Sequence, residues 1–311
     1  LANDLVGGEV LTDPDVVVLA MPTSHLTAVI EREKQLNLNS TFMDVGSVKN
    51  EVVLHVQTIS GLSRSFLPTH PMAGREIGGA GSARADLFQG RSWILTPSAD
   101  LELASKELVL ELIELLGATP IELSAIDHDR AVAKISHLPQ IAASLIAKQL
   151  DGTPAEWMEL AGQGLRDTTR IAGSDESLWK EIIYSNRNEL HQLLINLQND
   201  VQLMIDSLGN PDEIAQLIAQ GRAGKALIPG KHGGKAREYF YLPIVIDDKP
   251  GQLGAIFNEC AAMDVNVEDL NIEHSPGQLS ALITLALSQS DAEKLSTHLT
   301  SIGWNVHPIR K

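Results

Sequence analysis

Residues 15–22 run Asp-Val-Val-Val-Leu-Ala-Met-Pro, a short β-branched run bounded by prolines. Such a run is typical of a strand that is buried on both faces, as in a parallel sheet. A helical segment at about 25–35, which Thr23 and Ser24 could cap, leads to a second apolar run at 41–45. The order β-α-β predicts half of a doubly wound sheet.

The following segments continue this alternation of strands and helices. A helix, two strands, a second helix and a last strand are predicted, in that order, at 49–59, 66–70, 92–96, 101–116 and 119–123. Gly117 ends the second helix, because glycine tolerates the positive φ of a helix C-terminus. We predict a partial Rossmann-like, doubly wound α/β domain for nucleotide binding over residues 1–125.

The phosphate-binding turn of such a domain does not occur ahead of this region. A dinucleotide fold normally opens with a strand, a G-x-G-x-x-G turn and a helix, and no such motif precedes Asp15. Gly7-Gly8 is too isolated to count as one. We expect that a front segment of about fifty residues is missing before Leu1. The alternative is an α/β domain that binds no dinucleotide.

The middle of the chain, residues 126–222, is predicted to be entirely helical. Its clearest feature is an apolar face with helical spacing from Trp179 to Met204, within a helix of about thirty residues. Ser174 or Asp175 is placed to cap this helix. Because so long a helix favours a partner helix, we expect a domain for dimerisation and substrate binding. Burial within the same subunit is the alternative.

A stretch of glycines and basic residues then predicts a linker at 223–238, which we interpret as a solvated hinge rather than a phosphate site. Beyond it, residues 239–311 give the order β-α-β-β-α-β, which is typical of a ferredoxin-like domain. A Ser-Pro-Gly turn at 275–277 supports the central hairpin, and Pro308 is expected to end the last strand.

The composition excludes some classes of function. The chain has 311 residues, with 24 basic and 40 acidic side chains and a formal net charge of −16, which disfavours nucleic acid as a partner. Cys260 is the single cysteine, so no internal disulfide is expected. Nothing resembles a signal peptide or an uninterrupted apolar stretch of about 18 residues. We expect a cytoplasmic protein with no membrane partner.

Four short clusters carry the side chains that are suited to chemistry. Two follow predicted strands, where ligands bind in open α/β folds; the third lies at a predicted helix start and the fourth precedes the long helix. They are Asp44-Val45-Gly46-Ser47-Val48-Lys49, His70-Pro71-Met72-Ala73-Gly74, Ile135-Ser136-His137-Leu138-Pro139 and Arg166-Asp167-Thr168-Thr169-Arg170-Ile171-Ala172. We predict no metal site.

The order and spacing of these clusters resemble the TyrA family of prephenate and arogenate dehydrogenases, from about residue 10 to 210. Residues 248–253, Asp-Lys-Pro-Gly-Gln-Leu, resemble the first turn of an ACT regulatory domain. The resemblance implies oxidative decarboxylation of prephenate to 4-hydroxyphenylpyruvate, with hydride transfer to NAD, and NADP is not excluded. Arogenate, whose side chain ends in an amino acid, is the alternative substrate.

The resemblance also implies the residues of the reaction centre. His70 is the implied base at the ring hydroxyl, since an imidazole is largely neutral at physiological pH; a histidine satisfied in a loop is the alternative. Ser47 is implied to contact the nicotinamide end of the cofactor and His70 or the substrate hydroxyl, or else to cap the next helix. The implied cofactor-binding residues are Met21, Pro22, Thr23, Gly46 and Ser47.

Substrate binding is implied for four further residues. Arg170 has the planar fork that suits a carboxylate, although an ion pair with a nearby aspartate is the alternative. His137 is implied to lie near the substrate, or is a structural histidine, and Asp167 is expected to orient the site. Arg75 stands where the family often has Thr, so it adds a cation or pairs with Glu76. This departure leaves the choice between prephenate and arogenate open.

In the ACT-like region the resemblance implies an effector site, with tyrosine as the expected effector and structural turns as the alternative explanation of its glycines. Its residues are Asp248, Pro250, Gly251, Leu253 and Asn266, the last placed on the following strand.

Two other functions fit the same pattern. One is a different nicotinamide-dependent oxidoreductase, and the other is a non-catalytic ligand sensor that acts through its ACT domain. The presence of His70, Ser47 and Arg170 favours the dehydrogenase, because a sensor needs neither a base nor a carboxylate-binding arginine at these loops.

Overall fold

The computed structural model describes residues 14–36, 39–74, 83–229, 238–274 and 279–311. The contacts between residues divide the chain into two units, residues 1–149 with 170–199 and residues 150–169 with 200–311. No helix within the described ranges is long and apolar enough to cross a lipid bilayer.

The first unit contains a five-stranded sheet in the order β1-β2-β3-β4-β5. These strands are Val16–Leu19, Thr41–Asp44, Phe66–Pro71, Ser92–Leu95 and Thr119–Glu122. β1, β2 and β3 are parallel, so their carboxyl ends share one edge of the sheet, whereas β4 is antiparallel to β3 and parallel to β5. The predicted strands are confirmed, and the sheet is mixed.

The helices are numbered in chain order. They are α1 Thr23–Leu36, α2 Asn50–Thr58, α3 Leu103–Leu115, α4 Ala125–Val132, α5 Leu138–Lys148, α6 Ala155–Met158, α7 Gln163–Thr169, α8 Glu176–Ser185, α9 Arg187–Ser207, α10 Pro211–Lys225, α11 Gln252–Ala262 and α12 Gln289–Ser301.

Both faces of the sheet in the first unit are covered by apolar residues. Successive residues of β2 point to opposite faces, and Phe42 joins one buried cluster with α1 and α2 while Met43 joins another with α3. β2 and β4 are buried on both sides, and such burial explains why apolar residues follow one another in them instead of alternating with polar ones. The turn after α3 contains Gly117 at φ 74°, as predicted for the end of that helix.

Two helix predictions need correction in the first unit. α1 begins at Thr23, two residues earlier than predicted, and Pro22 O accepts the hydrogen bond from His25 N. The cluster around His137 does not start a helix. A turn of π-helix at Ala133–His137 joins α4 directly to α5, and such turns often lie at functional sites.

The predicted long helix is also wrong, because it is broken into α8 and α9 at Asn186. Asn186 is buried and its side chain bonds to other elements, which explains why the helix is interrupted there. The Asp175 cap is confirmed, since its carboxylate accepts a hydrogen bond from Leu178 N at 2.9 Å.

The second unit contains an antiparallel sheet in the order β7-β8-β6-β9. The strands are β6 Phe240–Asp247, β7 Asp269–His274, β8 Ser280–Leu287 and β9 Asn305–Val306. With α11 after β6 and α12 after β8, the predicted β-α-β-β-α-β order is confirmed. The strands and helices share one apolar core that includes Leu242, Ile256 and Leu295.

Three predictions near this sheet have different outcomes. α10 continues through Lys225, so residues 223–225 of the predicted linker are helical, and 230–237 lie outside the described residues. The Ser-Pro-Gly turn at 275–277 also lies outside them. Asn266 precedes β7 rather than lying on it, because pairing with β8 starts at Asp269.

Candidate active site

Two cavities open at the carboxyl ends of the parallel strands in the first unit. The first has a volume of about 630 Å³ and is lined by the loops after β1 and β2 and by α8. The second, of about 450 Å³, is lined by the residues after β3, by the π-helical turn and by α8. Ser47, Leu178 and Ile182 line both, so these residues mark the place where the two cavities adjoin.

All the predicted cofactor-binding residues line the first cavity. They are Met21, Pro22, Thr23, Gly46 and Ser47. The position of this cavity follows the rule that open α/β sheets bind ligands beyond the carboxyl ends of their strands. Glycine is required at position 46, because a Cβ atom there would lie 2.9 Å from Asp44 Oδ2. The predicted cofactor-binding residues therefore lie together at one cavity.

A buried ion pair ties the two loops together beneath this cavity. The side chain of Lys49 is fully buried and pairs with Asp44 Oδ2, and its Nζ donates to Thr69 O at 2.7 Å. Asp44 Oδ1 accepts from Thr69 N at 3.1 Å. Burial lowers the pKa of Lys49, and the carboxylate of Asp44 opposes that change. The pair fixes the end of β2 against the end of β3, where His70 lies.

His70 is half-buried at the end of β3 and lines the second cavity. Its Nδ1 lies 2.9 Å from Nε2 of His128 on α4, and the two rings meet edge to face. His128 Nδ1 in turn lies 2.7 Å from Asp129 Oδ1. Within the described part of the chain, Nε2 of His70 has no hydrogen-bond partner, so this nitrogen is available to a ligand.

The pKa of His70 lies well below the usual value of a histidine. Burial is the largest cause, because it penalises the charged imidazolium. The cation of Lys49, then His128 and His137, lower it further. At physiological pH the ring is therefore neutral and able to accept a proton.

The carboxylate of Asp129 caps α2 from another helix. Its Oδ1 accepts from Lys49 N and its Oδ2 from Asn50 N, both at 2.8 Å. The N-cap position of α2 is Lys49, which makes no side-chain cap bond. The alternative role of Ser47 as the cap of this helix is therefore wrong, since Asp129 already binds the first backbone N–H groups.

His137 lines the second cavity from the π-helical turn. It is buried, and its Nδ1 lies 3.1 Å from Nδ2 of Asn186, which also donates to Asp129 O at 2.8 Å. Its ring meets Trp179 edge to face. Burial lowers the pKa of His137 to about 4, with the charge of Asp129 acting in the opposite direction. His137 is therefore also neutral at physiological pH.

The other predicted substrate residues are placed differently. Arg170 begins a short 3-10 turn, Arg170–Gly173; its neighbour Ile171 lines the second cavity, whereas its own exposed side chain does not. Asp167 lies on α7 in the second unit, where its Oδ1 accepts from Gln163 Nε2 at 2.6 Å. Arg75 lies outside the described residues. His70, Ser47 and His137 are thus the predicted residues that share one cavity.

Sequence reasoning missed the residues behind the cavity. His128, Asp129 and Asn186 are buried and line neither cavity. Lys49 is part of the 44–49 cluster, but the sequence alone indicates no role for it. The adjacent His128-Asp129 pair was the available signal, but only the fold brings it to His70. Within the described ranges no group of His, Cys, Asp or Glu side chains could hold a metal ion.

The predicted effector residues surround the first turn of the second sheet. Gly251 has φ 91° immediately before α11, so its conformation alone explains the glycine. Asp248, Pro250 and Leu253 are exposed, and Asn266 Nδ2 donates to Glu268 Oε1 at 2.8 Å.

Comparison with known proteins places this chain among dehydrogenases. Residues 3–122 match the family model of the prephenate dehydrogenase nucleotide-binding domain, and residues 124–219 match that of the prephenate dehydrogenase dimerization domain. The probable prephenate dehydrogenase NovF of Streptomyces niveus is 27% identical over 303 residues, which cover 93% of this chain and 84% of that protein.

Solved structures agree with these matches. The prephenate dehydrogenase of Aquifex aeolicus, in complex with hydroxyphenyl propionate and NAD+, has a TM-score of 0.61 and 25% identity, covering 68% of this chain and 76% of that one. The arogenate dehydrogenase of Synechocystis has a TM-score of 0.57 and 26% identity, covering 68% of this chain and 78% of that one.

The two family models follow each other along the chain, and together they match more than half of it. The first model matches the part of the chain that forms the α/β sheet, and the second matches the part that contains the helices lining the second cavity. The chain therefore belongs to the prephenate dehydrogenase family.

Proposed function

We propose that this protein oxidises prephenate to 4-hydroxyphenylpyruvate and CO2, with NAD as the oxidant, in tyrosine biosynthesis. The observation that carries the proposal is the contact between two cavities at Ser47, with an accessible and neutral imidazole, His70, in the second. A dehydrogenase needs this arrangement, because the hydride must leave a substrate that faces the nicotinamide while a base holds the hydroxyl.

The reaction divides between cofactor and protein. When bound, NAD would supply the hydride acceptor for C4 of the ring, and Met21, Pro22, Thr23 and Gly46 would hold its nicotinamide end. His70 Nε2 accepts the proton of the C4 hydroxyl, so that a carbonyl can form there. Loss of the ring carboxylate as CO2 then leaves its electron pair in the ring, and the resulting phenolate takes the proton back from His70. The protein thus acts as base and then as acid.

The carboxylates of the substrate need cations or N–H donors. We assign the binding of these carboxylates to Arg170, whose fork suits a carboxylate, and to His137, which lines the second cavity. Asp167 is assigned to orient the site, and Arg75 to add a cation. Ser47, which lines both cavities, is assigned to the nicotinamide end and to the substrate hydroxyl. Arogenate is the second candidate substrate, because a similar structure is named an arogenate dehydrogenase.

The domain roles form part of the proposal. Residues 1–125 bind the nucleotide, 126–222 bind substrate and dimerise, 223–238 link, and 239–311 form an ACT domain that binds tyrosine at the turn after β6. Its β-α-β-β-α-β fold supports the last assignment. Exposed apolar side chains on α9 and α10, including Val201, Ile205 and Ile218, support a homodimer, because a second copy would cover them.

The test is a reduced-nicotinamide assay on the full chain, or on the chain completed at its front if it is longer. Prephenate and arogenate are each offered with NAD and with NADP, and tyrosine is then added. We expect turnover with prephenate and NAD, and inhibition by tyrosine. Turnover with arogenate but not with prephenate would make arogenate the substrate. Turnover with neither compound would overturn the proposal.

A further inference from the structure

Asp129 makes hydrogen bonds to three parts of the structure. Together these bonds determine which ring nitrogen of each nearby histidine carries the hydrogen. Both carboxylate oxygens accept backbone N–H groups, from Lys49 and Asn50 at 2.8 Å. Oδ1 also lies 2.7 Å from His128 Nδ1, and the backbone oxygen accepts from Asn186 Nδ2 at 2.8 Å. A carboxylate held by two N–H donors acts as an acceptor towards the histidine as well.

The hydrogens of His128 and His70 follow from this. His128 must carry its hydrogen on Nδ1 in order to donate to Asp129, so a neutral His128 presents a lone pair on Nε2. That atom lies 2.9 Å from His70 Nδ1, which must then be the N–H of the pair. His70 is left with its lone pair on Nε2, the nitrogen that has no partner in the described part of the chain.

The same reasoning applies to His137. A backbone carbonyl only accepts, so the Asn186 atom 2.8 Å from Asp129 O is the amide nitrogen. The second hydrogen of this amide is donated to His137 Nδ1, 3.1 Å away. His137 Nδ1 is therefore the acceptor. His137 therefore carries its hydrogen on Nε2.

We propose that Asp129, through His128 on one side and Asn186 on the other, sets opposite tautomers on His70 and His137. The substrate cavity then presents one acceptor, His70 Nε2, and one donor, His137 Nε2. His128, Asp129 and Asn186 are positioning residues, since they line neither cavity. The use of the acceptor as a base rests on the proposed function, but the tautomers themselves do not.

The arrangement also accounts for the charge that appears during the reaction. When His70 Nε2 takes the hydroxyl proton, the imidazolium keeps its Nδ1–H on His128 Nε2, and Asp129 lies behind that ring. The proton does not need to travel beyond His70, because the phenolate formed by decarboxylation takes it back. A buried cation is costly, and burial, Lys49 and His128 all disfavour the charged ring, so the imidazolium is a short-lived form that returns its proton to the product.

The direct test is nitrogen NMR of the full chain with 15N-labelled histidines near neutral pH. Two-bond proton–nitrogen correlations distinguish the two tautomers, and His→Gln variants at positions 70, 128 and 137 assign the signals. We expect hydrogen on Nδ1 of His70 and His128 and on Nε2 of His137. Hydrogen on Nε2 of His70 would overturn the proposal. No substrate is needed, so this result stands whether or not prephenate is turned over.

Steady-state kinetics test the consequence for turnover. His128→Gln keeps an acceptor oxygen near the place of Nε2, whereas His128→Leu removes it. We expect kcat to fall by about a hundredfold in His128→Leu, the size of a lost general base, with KM within about threefold, and at least a tenth of wild-type kcat in His128→Gln. Equal kcat in the two variants would contradict the positioning role.

Two further variants complete the test. Asp129→Asn replaces one of two oxygens that accept backbone N–H groups by an amide donor and removes the carboxylate that fixes the hydrogen on His128 Nδ1, so kcat should fall by about a hundredfold or more. The control is His55→Leu, because His55 lies on α2 with no hydrogen-bond partner for its Nε2 within the described residues; its kcat should remain at the wild-type value. A loss in the control equal to that in His128→Leu would show that the effect is only structural.

Discussion

His70 combines two properties that a general base needs, and both come from its neighbours. Burial and the cation of Lys49 keep its pKa low, so the ring is neutral, while His128 and Asp129 hold it by Nδ1. The family resemblance, carried by His70-Pro71-Met72-Ala73-Gly74, singled out this histidine. The sequence could not supply its partners, because His128 is 58 residues away and reaches His70 only through the packing of α4 near β3.

The low pKa of His70 predicts the pH dependence of the reaction. The groups that face it are Lys49, His128 and His137, with Asp129 behind His128. The proposed base is neutral His70, and its pKa lies well below the ordinary value of about 6.5, so kcat/KM should be level from pH 8 to pH 6.5 and fall only at lower pH. Measurement of kcat/KM against pH at constant ionic strength checks this. An acid limb with a midpoint at or above 6.5 would contradict it.

At the scale of elements, the periodic patterns predicted most of the strands and helices, and side chains with remote partners account for the failures. The strands of the first sheet follow from uninterrupted apolar runs, but the antiparallel direction of β4 does not. The break between α8 and α9 depends on Asn186, whose partners, Asp129 and His137, are distant in the chain. An asparagine within a helical pattern gives no warning of such contacts.

The buried pair between Lys49 and Asp44 joins β2 to β3, and its loss should destabilise the first unit. Lys49→Met leaves the carboxylate of Asp44 buried without its cation, so the free energy of unfolding should fall by about 3–5 kcal/mol. Urea unfolding of the variant measures this loss. The double variant Asp44→Asn, Lys49→Met is the matched control and should lose less. A single variant as stable as the wild type would show that the pair does not tie the strands.

At the scale of the whole molecule, the sequence predicted the succession of an α/β sheet, helices and a second small sheet, but not the division of its residues into units. Residues 170–199 belong with the first sheet and 150–169 with the second, so Arg170 and Asp167 fall in different units although three positions separate them. The chain carries a net charge of −16, and an anionic substrate must therefore depend on local cations. Arg170 is the residue assigned to that role.

The central claim is that His70 takes the proton of the ring hydroxyl while Arg170 holds a carboxylate of the same molecule. The most direct measurement is the steady-state rate of prephenate oxidation by His70→Asn, with Arg170→Gln measured beside it. We predict that kcat falls by about a hundredfold or more in His70→Asn with little change in KM, whereas in Arg170→Gln mainly KM rises. A His70→Asn variant that turns over prephenate as fast as the wild type would contradict the account.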